Sequence, residues 1–224
     1  MPHWDTLPER VDNENICLHG EIVLKIIFTG KGFDGTAVLP KPMRRKARRA
    51  ELVFEDALSA FIATEGESLL ADVSERNTCG RLSIHLERQL EADGLGDYYA
   101  DVEYNRKQQG QVKTIINEQL QVIQITPDLI VHSRGEKPPP HDNLIAVEVK
   151  KAARPEREKN DDRARLKAMT LMPYEGVWPW DGSHPEHVCG YAVGIFLEID
   201  VKQRQMCLEF FKKGAQTKRK QWTF

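Results

Sequence analysis

The stretch LIAVEVKK, Leu144–Lys151, opens as a buried β-strand and closes on charge. Side chains alternate along a strand, so Leu144, Ala146, Glu148 and Lys150 share one face while Ile145, Val147, Val149 and Lys151 share the other. At a rise of about 3.3 Å per residue, Glu148 and Lys150 then stand about 7 Å apart on the same side. An apolar face that turns charged is either a strand end meeting solvent or a strand that carries a polar site. The neighbouring segments decide between the two.

The segment before it, LQVIQITPDLIVHS (Leu120–Ser133), has strand character and is joined to it by RGEKPPPHDN, rich in glycine and proline. A hairpin of this kind brings Asp128, which follows Pro127, beside Glu148 on the adjacent strand. Two nearby carboxylates repel, and burial adds to the cost of their charges, so the pair needs a cation. A hard divalent ion, Mg²⁺ or Mn²⁺, meets that need with oxygen ligands. Such an ion polarises phosphoryl oxygens and acidifies water, and Lys150 beside it would orient the attacking water or steady developing negative charge.

Further out, RRAELVFEDALSAFIATEG (Arg48–Gly66) has the apolar period of a helix. A second helix is expected from about Asp72 to Asp93. Its stripe runs through Cys79, Leu82, Leu86 and Leu90, and one step of four backward reaches Glu75. Glu87 lies about 100° round from Leu86, on the flank, so Glu75 is the better candidate for a carboxylate entering a site. YYADVEYNR (Tyr98–Arg106) reads as a strand with Glu103 on the Tyr99, Asp101, Asn105 face, where it either reaches the site or meets solvent. NDDRARLKAMT (Asn160–Thr170) reads as a short helix with acids in its first turn, where capping and core packing account for Asp162 and Leu166. GYAVGIFLEIDV (Gly190–Val201) and QMCLEFFKK (Gln205–Lys213) read as strands. Helix, three strands, helix, strands specifies an α/β fold, a mixed β-sheet flanked by helices. The first 40 residues read as β-rich, giving an expected division into an N-terminal β-rich appendage with a basic run, residues 1–48, and a main domain, residues 49–224.

Composition narrows the class. The chain has 224 residues, 40% apolar and 29% charged, as in ordinary globular proteins. No apolar run of membrane-spanning length and no secretory leader appear, so the expected location is cytoplasmic, with no membrane partner. The four cysteines lack CxxC spacing and read as reduced structural thiols. His184, His187 and Cys189 lack a fourth ligand for structural zinc; Trp178 and Trp180 suit loop packing or base stacking. The net charge of -2 announces no polyanion binder. Two basic runs, KPMRRKARR (Lys41–Arg49) and KKGAQTKRK (Lys212–Lys220), are either phosphate contacts or solvated surface.

Pro127-Asp128, nineteen residues, then Glu148-Val149-Lys150 resembles the signature of the PD-(D/E)XK nuclease superfamily, and the order of elements from about Asp72 to Asp200 is similar to that of its restriction-endonuclease-like core. SER (Ser74–Arg76), VEYNR (Val102–Arg106), PDLIVHSRG (Pro127–Gly135) and NLIAVEVKK (Asn143–Lys151) look like an uncharacterised bacterial branch of that superfamily. The resemblance implies a metal-dependent nuclease that uses Mg²⁺ or Mn²⁺ and acts on nucleic acid, DNA favoured over RNA. It implies Asp128, Glu148, the Val149 carbonyl and Glu75 as metal ligands, and Lys150 as the catalytic lysine. Glu103, Arg106, Lys151 and Arg165 stand as candidate substrate contacts, and Asp162, Arg165 and Leu166 look like family positions in the helix after the lysine, although capping and core packing already account for Asp162 and Leu166. Two rivals are a non-catalytic nucleic-acid-binding module and an effector subunit that acts through a partner protein or as a homodimer.

Overall fold

Apolar residues at helical spacing set the first element. Ala50, Val53, Phe54, Ala57, Leu58 and Phe61 line one side of α1 (Lys41–Leu70) and are buried; removing each phenylalanine from water is worth about 1.5–3 kcal/mol. Pro42 falls in the first turn, where a missing N–H interrupts no intrahelical bond. The basic run Lys41–Arg49 thus forms the first turns of this helix instead of belonging with the preceding segment. The computed structural model describes residues 41–104, 114–116, 122–124, 126–138, 141–171 and 190–224, all within one compact unit, Leu39–Phe224. The expected N-terminal β-rich segment, Arg106, the Trp178/Trp180 loop and the His184, His187, Cys189 set lie outside the described residues.

Helix α2 (Glu75–Ala92) starts at Ser74, whose hydroxyl accepts from the amide of Asn77 at 3.1 Å, an N-cap that satisfies one orphan donor. It buries Cys79, Leu82, Leu86 and Leu90, the stripe expected from spacing. The main sheet follows from β1 (Tyr99–Val102), β4 (Leu129–His132), β5 (Asn143–Lys151), β6 (Val193–Asp200), β7 (Gln205–Lys212) and β8 (Ala215–Thr223), paired in that order as six strands. β2 (Thr114–Ile116) and β3 (Val122–Gln124) form a separate antiparallel pair, so LQVIQITPDLIVHS is two strands and not one.

β5 and β6 run parallel, and every other neighbouring pair in the main sheet is antiparallel. A parallel pair requires a crossover, and α3 (Glu156–Thr170) lies within it. The described residues therefore form an α/β fold with a mixed sheet between helices. Ile145, Val147 and Val149 face the larger core with α1 and α2, while Ala146 faces a smaller one with Leu166 and Met169 of α3. Leu144 departs from the expected alternation. The β4–β5 register passes from Val131 opposite Ile145 to His132 opposite Asn143, skipping Leu144, and this bulge turns it into the α1–α2 core.

The C-terminal basic run is the main departure from the sequence reading. It is not a uniformly solvated run: Lys213 and Gly214 take positive φ (52° and 73°), close a two-residue hairpin and return the chain as β8. Lys218 and Lys220 both reach Glu55 of α1 at 2.8 Å, and Lys212 pairs with Glu51. Strand β8 was illegible as a strand because its α1-facing positions are lysines, whose stems cover apolar surface while their heads find acids.

Candidate functional site

The C-terminal half of β5, the middle of α3, the start of β4 and the first turn of α2 bring four segments to one end of the sheet. Asp128, at the entrance to β4, accepts from the Val149 amide through Oδ2 at 2.8 Å, which fixes its carboxylate against β5. Glu148 is fully buried and projects on the α3 side of β5. Its Oε1 accepts from Arg165 Nε at 2.9 Å, while Oε2 is buried with no hydrogen-bond partner among the described residues. Burial first, and then the neighbouring charge of Asp128, push the Glu148 carboxyl up to about 8, outweighing the opposing pull of Arg165.

Lys150, two residues on and on the same side, places Nζ 3.0 Å from Asp162 Oδ2, 3.9 Å from Glu75 Oε2 and 3.5 Å from the Val149 carbonyl. Partial burial opposes its charge, but the ion pair with Asp162 and the charges of Asp128 and Glu75 prevail and raise its pKa. Burial raises that of Asp162 against the pull of Arg165 and Lys150. Arg165 also donates to Asp162 Oδ1, so an unbroken chain of ion pairs runs Glu148, Arg165, Asp162, Lys150.

Glu75, the first residue of α2, accepts from the Lys151 amide through Oε1 at 2.9 Å. Among the described residues Glu75 thus meets the two lysines, the amide of Lys151 and the ammonium of Lys150. Glu87 is exposed on the same helix, away from this end. Cys79, one turn further along α2, is buried, and burial followed by the charges of Asp128, Glu148 and Glu75 raises its thiol pKa, which puts all three carboxylates within electrostatic reach of one buried sulfur.

The rim is held by two further pairs. Lys151 reaches Asp72 Oδ1 at 2.7 Å, and Arg76 of α2 reaches Glu103 Oε2 at 2.8 Å. Glu103 is exposed and left-handed (φ 50°), with its amide bonded to the Asp128 carbonyl at 3.1 Å. It meets α2 at the rim and does not enter the interior.

Asp162 was misread at the sequence level. The helix begins at Glu156, so the first-turn acids are Glu156 and Glu158, and Asp162 lies inside the helix at 2% exposure. The signal was the buried stripe Lys159, Asp162, Leu166, Met169, charged at one end and apolar at the other, as β5 is. Arg165 turns inward to Glu148, not outward as a substrate contact would.

Two carboxylates with one buried, unclaimed oxygen and no nitrogen or sulfur donor bonded to it suit a hard divalent cation. Among the described residues no group of three or more His, Cys, Asp or Glu is disposed to hold a metal; Mg²⁺ commonly uses one or two carboxylates and keeps several waters, so two suffice. No family model matches this sequence, and comparisons with curated proteins and with solved structures return no match either. Among the described residues no helix is long and apolar enough to cross a membrane.

Proposed function

We propose that this protein is a metal-dependent nuclease with a restriction-endonuclease-like core, hydrolysing phosphodiester bonds in nucleic acid, most readily DNA. The observation that carries the reading is the buried, unpartnered Glu148 Oε2, next to the carboxylate of Asp128 and two residues from Lys150. Asp128 and Glu148 would hold Mg²⁺ or Mn²⁺, with the Val149 carbonyl as a further oxygen and Glu75 at the lysine side of the site. When bound, the cation supplies Lewis-acid polarisation of a phosphoryl oxygen and acidifies the attacking water. Lys150, kept cationic by its acidic neighbours, stabilises negative charge growing on the scissile phosphate. The Val149 amide holds Asp128 in place, and burial on the α3 side of β5 keeps bulk water from the Glu148 carboxylate.

The test is incubation of purified protein with supercoiled, linear and single-stranded DNA and with RNA, in Mg²⁺, Mn²⁺ or chelator, beside Lys150→Ala. Cleavage that needs the cation and disappears in a folded Lys150→Ala supports the reading. Absence of metal-dependent cleavage of every substrate overturns it in favour of a binding module. A second arm uses melting alone: either cation should raise the melting temperature of the wild type and not that of Asp128→Ala.

A further inference from the structure

The arginines of α3 meet the sheet in two different ways. Arg163 gives Nε to Glu209 Oε2 at 2.9 Å and Nη2 to Glu209 Oε1 at 3.1 Å, so both oxygens of the strand acid are satisfied, while its Nη1 donates to Glu156 and Asn160 of its own helix. This bidentate arrangement is what an arginine adopts when its task is to neutralise a buried acid. Arg165, two residues later, splits its fork between Glu148 and Asp162 and leaves Glu148 Oε2 without a partner. An arginine present only to neutralise Glu148 would take both oxygens.

What prevents that is Asp162, 2% exposed, which draws the other arm of Arg165 and also holds Lys150 at 3.0 Å. Asp162 therefore fixes two cations at once, each beside a different group of the candidate site. Resting on the metal-centre reading above, we propose that Asp162 and Arg165 are positioning residues: together they hold the Glu148 carboxylate by one oxygen so that the other is kept for a divalent cation, and they hold the Lys150 ammonium beside it. Neither touches the cation. The anchoring resembles that of outer-shell partners in metal sites generally, whose loss lowers metal affinity about 10–100-fold.

The proposal predicts a sign that charge alone would reverse. Arg165 is a cation beside a cation site, so on electrostatic grounds its neutralisation should tighten metal binding; if its role is to orient Glu148, neutralisation loosens it. The experiment is calorimetric titration of Mn²⁺, without nucleic acid, into the wild type, Arg165→Gln, Arg165→Lys and Asp162→Asn, each shown folded by thermal melting, followed by kcat and KM for DNA cleavage in saturating Mn²⁺. Arg165→Gln and Arg165→Lys should both weaken Mn²⁺ binding about 10–100-fold, because a lysine keeps the charge but lacks the planar fork that gives Nε to Glu148 and Nη2 to Asp162 in fixed directions. Asp162→Asn should lower kcat per folded molecule with KM unchanged, the folded fraction being fixed from its melting curve because a smaller folded fraction alone would give the same split. Unchanged or tighter binding by Arg165→Gln overturns the proposal and leaves the metal centre standing. Failure of the wild type to bind Mn²⁺ overturns the metal centre and the proposal together. Should Arg165→Gln not fold, Arg165→Lys makes the same comparison, with wild-type affinity the overturning result.

Discussion

Glu148 combines complete burial, one oxygen on Arg165 and one without a hydrogen-bond partner among the described residues, which ties its protonation to the fold. Its carboxyl is pushed up to about 8 in the fold from an ordinary value of 4.5. For an acid raised in this way the folded chain keeps a proton that the unfolded chain releases, so the associated stability is fully present below the unfolded value and is lost as pH rises toward the folded one. With metal chelated, the unfolding free energy of the wild type should fall between about pH 5 and pH 8 relative to that of Glu148→Gln. Urea titrations at the two ends measure this, and equal pH slopes would rule out the shift. Asp128, Glu148 and Lys150 were legible in the sequence because strand alternation and a hairpin put them on one face without knowledge of anything else. Asp162 was not, because its partners Lys150 and Arg165 meet it only once α3 is laid on the sheet, and an acid near a helix start has an ordinary explanation.

Helix α3 shows the same division at the scale of an element. Leu166 and Met169 pack on Ile130, Ala146 and Phe196, and the residues before them are fixed by charge: Lys159 to Glu198 at 2.7 Å, Arg163 to Glu209 and Arg165 to Glu148. Three acids of three adjacent strands each face a base of one helix, and the Arg163 guanidinium also lies over the Phe196 ring at 4.5 Å. Removing one partner of a buried pair leaves the other charge uncompensated, whereas replacing both with apolar groups of similar volume is close to neutral. Arg163→Ala should therefore cost about 3–5 kcal/mol, and Arg163→Met with Glu209→Leu much less; a double variant as unstable as the single one would refute the account. This docking was hard to read in advance, since a helix with so polar a buried face lacks the apolar period that marks α1 and α2. The latter two were legible for the opposite reason, their stripes being continuous.

Across the whole molecule, charge that looked available for a polyanion is used internally. Lys212, Lys218 and Lys220 of the C-terminal hairpin bind Glu51 and Glu55, joining the last strand to the first helix. Lys218→Met with Lys220→Met should lower stability by about 1 kcal/mol, the worth of half-exposed pairs, and leave unchanged the salt dependence of nucleic-acid binding, which counts phosphate contacts; a shallower salt slope would show that these lysines touch phosphate. The strands of the main sheet up to β7 and its mixed character were legible, whereas the β2–β3 pair and the choice of β6 as the parallel partner of β5 were not, because nothing local to a strand names its neighbour. That pairing has a consequence in time. Strands β6, β7 and β8 close by short hairpins, but Glu75 meets Lys151 across 76 positions and Asp128 meets Val149 across 21. Contacts of high sequence separation form late when loop closure must come first. Glu75→Gln should therefore steepen nothing on the folding arm of a chevron and raise the unfolding rate alone, as expected of a centre that is the last part of the chain to assemble and the first to come apart.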